Sequence, residues 1–193
     1  MIAYKTEKLN NAICYFAREV YKRRSQYLPQ TLLYKLLSYL DFTSIAKLGV
    51  PALELKYRAY QNGPVPVDIY SNKEGYETDC FKFEKRSNER FVIISKKEAN
   101  LDYFSDFEIK TMNSLLNKYI KINTSMKKII DNICNDSHKD IKAWKVAYER
   151  KKNSTMNYGD TFESIEKKDY ENLSINEERI FVYRGLKEKT KCN

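Results

Sequence analysis

The chain has 193 residues, 42% of them apolar and 32% charged, so it can close a core and is not a disordered polar tract. Its apolar runs are short, Phe91-Val92-Ile93-Ile94 being typical, and a membrane span needs about 20 such residues. Thirty-five basic against twenty-six acidic residues leave a net charge of +9, which suits an acidic protein partner or nucleic acid.

In chain order, Leu9, Ala12, Ile13, Phe16, Ala17 and Val20 repeat at helical spacing. They predict a helix over 6–24 with Thr6 as its N-cap. The run Lys22-Arg23-Arg24 ends it. It reads either as a binding patch or as a solvated helix end whose cations suit the dipole. Leu33, Leu36, Leu37, Leu40 and Ser44 share a face after Pro29, and Gly49 with Pro51 is a stop signal. A second helix over 30–48 follows, its leucines in the core. Asn62-Gly63-Pro64-Val65-Pro66 excludes a helix and reads as a stiff turn. Val67, Ile69 and Tyr70 suit a short helix behind it.

Phe81 and Phe83, then Phe91 and Ile93, alternate with other residues about a polar Arg86–Glu89 stretch. This is a β-hairpin over 80–95, which must pack on the helices to be stable. Ser105-Asp-Phe-Glu108 is a capping box. Met112, Leu115, Leu116 and Tyr119 continue that helix. Met126, Ile129, Ile130 and Ile133 mark another. Ile141, Trp144 and Tyr148 mark a third. The fold class is mostly α (α+β): a compact helical domain over 1–150 with a small β-hairpin packed on it. Residues 151–193 read as a peripheral extension with one strand-like run, Arg179–Tyr183.

Candidate chemistry is sparse. Cys14, Cys80, Cys134 and Cys192 are far apart, without a CxxC pair, and His138 is the one histidine. Buried thiols in a reducing, cytoplasmic setting fit better than zinc or disulfides. The start also lacks the apolar stretch of a secretory leader. Ser137, His138 and Asp140 are too close in sequence to form a triad, and Asp136 or Ser137 reads as the N-cap of the helix carrying Trp144. No phosphate loop occurs. No carboxylate falls on an apolar stripe. The expectation is therefore no catalytic, cofactor or metal residue, and no enzyme.

Sixteen tyrosines stand out. Tyr57, Arg58, Tyr60, Asn62 and Tyr70 surround the Gly-Pro turn and are the candidate partner-binding residues. Tyrosine and arginine suit protein interfaces. Two other uses are open: clamping the turn from inside, or stacking on unpaired bases.

Three segments together resemble one family. They are Lys35-Leu36-Leu37-Ser38-Tyr39-Leu40-Asp41-Phe42 followed by Gly49, Tyr60-Gln-Asn-Gly63-Pro64-Val65-Pro66-Val67-Asp68-Ile69-Tyr70, and Ser137-His138-Lys139-Asp140-Ile-Lys-Ala-Trp144-Lys145. Their order and spacing resemble the Panacea domain of phage-associated proteins and antitoxins, over about 8–150. Two departures are the tyrosines that stand where the family often has a tryptophan or other aromatic before the turn, and a C-terminal segment without a counterpart. The resemblance implies a compact, mostly helical domain with a small β element, and it does not imply a catalytic centre. It implies an antitoxin that neutralises a cognate toxin by direct binding, with specificity in the variable C-terminal segment. Alternatives are a proteolytic adaptor that delivers its toxin to a protease, and an autoregulator that binds operator DNA.

Overall fold

The computed structural model describes residues 4–162 and 168–189. Helix α1 spans Lys5–Arg24 and buries Ala12, Ile13, Phe16, Ala17 and Val20. Its cap is Tyr4 in the left-handed region, not Thr6. The helix starts one residue before Thr6, so that hydroxyl lies inside the first turn.

After the short strand β1 (Leu28–Pro29), helix α2 (Gln30–Leu48) is the axle of the fold. Every residue from Leu32 to Phe42 is buried. Later helices α4 (Asp106–Tyr119), α5 (Met126–Asp140) and α7 (Ile175–Lys189) pack around it together with α1. A helix buried on all sides has no polar face. Its polar residues Lys35, Ser38, Asp41 and Ser44 are therefore internal as well. Gly49, at φ 73°, closes α2 with its amide on the Ile45 carbonyl, 2.8 Å away.

Two antiparallel sheets flank the axle. The expected hairpin is β4 (Phe81–Lys85) and β5 (Phe91–Ser95), with Phe83 opposite Ile93. β1 adds to the outer edge of β5. A two-residue strand has no period, so the sequence offers no sign of it.

The second sheet corrects the stiff-turn reading. β2 (Tyr57–Tyr60) and β3 (Gly63–Pro66) form a hairpin whose loop is Gln61 and Asn62. Prolines usually forbid a ladder because they lack a donor. Here Pro64 faces Ala59 and Pro66 faces Tyr57. Those two residues turn their backbone groups the other way: Ala59 bonds Asn153 and Ser154, and the Tyr57 carbonyl accepts from Met156. The prolines thus stand opposite positions that require no donor from them. The short helix α3 (Val67–Ser71) follows as expected.

The capping box at Ser105 and Glu108 forms and starts α4. Helix α6 (Lys142–Arg150) carries Trp144. Leu36, Leu37, Leu40, Phe16 and Trp144 are all buried.

Beyond Arg150 the chain turns back along β2, and Met156 and Tyr158 pack against the main core. Helix α7 then lays Ile180 on Ile45 of α2. The strand-like run Arg179–Tyr183 is part of that helix, which corrects the strand reading. Ile180 is buried and Tyr183 half-buried, while Phe181 and Val182 are exposed, a three-residue spacing. Ser174 and Glu177 bond each other's side chains and amides, a helix start that outweighs local β preference.

Candidate functional site

The loop of the β2–β3 hairpin is held from behind by two side-chain bonds to its main chain, with the ring of His138 beside them. Lys35 of α2 is 1% exposed, and its Nζ donates to the Pro64 carbonyl at 2.7 Å. Trp144 of α6 donates through Nε1 to the Tyr60 carbonyl at 2.9 Å. His138, near the end of α5, sets its ring beside the Gln61 backbone, with Nε2 buried and without a hydrogen-bond partner. That ring stacks on Trp144, with centroids 4.0 Å apart and planes 10° apart. Tyr148 covers the other face of Trp144 at 4.8 Å.

Gly63 makes the close approach possible. Its φ is 99°, and a Cβ there would lie 2.5 Å from Ser137 Oγ and 3.0 Å from the end of Lys35. Burial pushes the Lys35 amine down to about 8. Burial, and then the charge of Lys35, lowers His138. Residues from all three motif segments, α2, the Gly-Pro hairpin and the α5–α6 junction, therefore meet at one point.

The family model described as "Antitoxin SocA-like, Panacea domain" matches residues 33–145. The chain belongs to this family. Neither a curated protein nor a solved structure matches it. The matched stretch of the Panacea domain holds Lys35, Gly63, Pro64, Ser137, His138 and Trp144, so it contains the whole brace.

A second node lies behind the first. Asp41 of α2 is fully buried, against the expectation that no carboxylate sits on an apolar stripe. Oδ1 accepts from the amides of Leu53 and Glu54, at 2.6 and 3.2 Å. Oδ2 accepts from the Leu55 amide and from the Tyr57 hydroxyl, at 3.2 and 3.0 Å. The Tyr158 hydroxyl lies 3.0 Å from Oδ2 and 2.7 Å from the Leu55 carbonyl. Burial pushes this carboxyl up, and the amide and phenol donors pull against it. The signal for it was available: an acid on a helix apolar all round has to be inside. The same holds for Lys35.

Asp41 also decides the fate of Tyr57. That side chain is 2% exposed and points inward, so it is a clamp and not a contact residue. The alternation of β2 turns Arg58 and Tyr60 to the opposite side. Arg58 is exposed and Tyr60 half-buried. Asn62 is exposed in the loop. Tyr70, on α3, is 40% exposed and tilts on Tyr60 at 5.9 Å, with Lys73 over its ring at 4.2 Å. Among the five candidates the Panacea domain thus brings Arg58, Tyr60, Asn62 and Tyr70 to the outside of the hairpin region and takes Tyr57 away.

Other readings change. Asp136 and Ser137 do not cap α6, since both lie in the last turns of α5. Ser137 donates to the Cys134 carbonyl at 2.7 Å, and Asp136 accepts from Tyr119 at 2.9 Å. Asp140 accepts from Tyr39 at 2.9 Å. The run Lys22-Arg23-Arg24 is occupied internally. Arg24 donates to the carbonyls of Lys121, Ile122 and Thr124, Arg23 to Asn117, and Lys22 pairs with Glu19. It staples the α4–α5 connection. Cys14, Cys80 and Cys134 are free and buried; Cys192 lies outside the described residues. Among the described residues no cluster of three His, Cys, Asp or Glu side chains is placed to hold a metal. No helix among them is long and apolar enough to cross a membrane.

Proposed function

We propose that the protein is an antitoxin that silences a toxin protein by stoichiometric binding, without turnover, through the outer face of the β2–β3 hairpin. The family gives the class. The observation that carries the finer reading is the brace: Lys35 and Trp144 hold the backbone of 60–64, and the His138 ring stacks on Trp144. Binding costs less when the contacting loop is ordered beforehand. Arg58, Tyr60 and Tyr70 on such a loop are the residue types that anchor protein interfaces. A nucleic-acid role draws little support from Lys22-Arg23-Arg24, because those side chains bind their own chain.

The test is growth rescue from the co-encoded toxin, with pull-down of the complex. Arg58→Glu and Tyr60→Ala, checked for native unfolding midpoints, should each weaken the complex at least about tenfold, or about 1.4 kcal/mol. Undiminished rescue by both folded variants would overturn the assignment of this face. Rescue by antitoxin far below the toxin's concentration would overturn stoichiometric binding.

A further inference from the structure

On another side of the molecule, a groove of about 560 Å³ opens between the end of the β4–β5 hairpin and the first turns of α2 and α5. Its floor is apolar, made by Phe91, Val92, Met126 and Ile130. Its rim carries Arg86, Arg90 and Lys127 against one acid, Asp131. Arg86 is engaged with Glu84 at 2.7 Å and lies over the Tyr27 ring. Among the described residues no carboxylate pairs with Arg90 or Lys127.

Two helix starts add to that positive potential. α2 begins here without a side-chain cap and without an acid in its first turn. α5 also has no acid in its first turn. Helix N-termini favour negative charge. The amide side chain of Gln30 lines the same groove, and its Oε1 is buried without a partner. A bare anion would leave the apolar floor uncovered. A peptide supplies carboxylates for the cations and apolar side chains for the floor. Nucleic acid fits less well: the cations are few, one acid interrupts them, and the floor is aliphatic and aromatic. The size is that of a site for a few residues.

We infer that this groove is a second docking site, which takes an acidic, leucine-rich peptide segment of the protein partner. One carboxylate sits at the start of α2, between Thr31 and Arg90, and a second meets Lys127. An apolar side chain between them covers Phe91 and Ile130. The inference rests on the protein-binding reading above, but it uses a different face.

The probe is an end-blocked, fluorescein-labelled hexapeptide of alternating glutamate and leucine, with the glutamine–leucine analogue as control. It is titrated into the full chain, followed by anisotropy and by amide NMR shifts. The expected result is binding that weakens with salt, shifts confined to 29–32, 86–92 and 126–131, and no binding of the analogue. The double variant Arg90→Glu with Lys127→Glu should weaken binding at least tenfold. Thr31→Asp places a carboxylate at the helix start within the chain, where it suits the dipole. It should compete with the peptide, weakening it several-fold in a protein that stays folded. Equal affinity in both variants, or shifts centred on 58–70, would overturn the site. Oligothymidine moving the groove amides while the peptide leaves them unchanged would overturn the peptide assignment. No toxin is present in the titration, so its failure is separate from any failure of growth rescue.

Discussion

Asp41 and Lys35 carry opposite charges on one buried helix, and their surroundings differ. Asp41 gathers the amides of 53–55 and two tyrosine hydroxyls around it. Asp41→Ala would leave several buried donors unpaired, each costing about 1–3 kcal/mol. The expected loss is roughly 3–5 kcal/mol, read from urea unfolding at neutral pH. Lys35 has one carbonyl acceptor and is lowered to about 8 by burial. Its unfolded value is the ordinary 10.5. Above pH 8 the folded state loses this proton while the unfolded chain keeps it. Stability from this group therefore rises with pH through that window. Cys14 opposes it only higher up, because burial raises that thiol from 9.0 to about 11. Between pH 7 and 9 the wild-type midpoint should climb relative to Lys35→Met. A parallel pair of pH curves would mean that Lys35 does not titrate in the fold.

At the scale of elements, the hairpin is the part the sequence disguises. Helices α1, α2, α4, α5 and α6 are legible because apolar residues recur at period 3.6. The β4–β5 hairpin is legible from Phe81, Phe83, Phe91 and Ile93. The β2–β3 pair is not, since Pro64 and Pro66 argue against any ladder until residues 153–156 are seen to occupy the other edge of β2. Tyr57 is misread for the same reason: inward and outward faces of a four-residue strand cannot be told apart without its neighbours. The glycine in this hairpin has a measurable role. Gly63→Ala meets Ser137 Oγ at 2.5 Å and a left-handed backbone at once. It should cost about 2 kcal/mol or more in chemical unfolding. Pro64→Ala keeps the carbonyl that Lys35 binds. Its expected cost is below about 1 kcal/mol, through a looser unfolded chain. A reversed order of these two effects would mean that the proline ring, and not the glycine approach, sets the loop.

The whole molecule is tied together across long sequence distances, through α2. Its C-terminal third touches α7, and Ile180 meets Ile45 with no exposure on either side. Ile180→Ala should cost about 2 kcal/mol, which lowers the melting temperature by about 6 °C for a chain of this size. Phe181→Ala, half exposed, should change stability by less than about 0.5 kcal/mol. Equal effects would place the two residues on one face, contrary to the helix. The candidate site was legible as three motif segments, but not as an arrangement, because Lys35, Gly63 and Trp144 are brought together only by the path of α2, the hairpin and α6.

The brace has a consequence for how this protein changes over time. Its two bonds to the loop end on main-chain carbonyls, at Tyr60 and Pro64. Every amino acid brings the same carbonyl to those places. The outward side chains at 58, 60, 62 and 70 can then be exchanged while the frame beneath them keeps its shape. A mutational library randomised at those four positions should remain mostly folded by protease resistance, whereas one randomised at 35, 63 and 144 should collapse. Such a division lets one scaffold be rewritten for new partners by ordinary point substitution, with the recognition text on the surface and the grammar underneath.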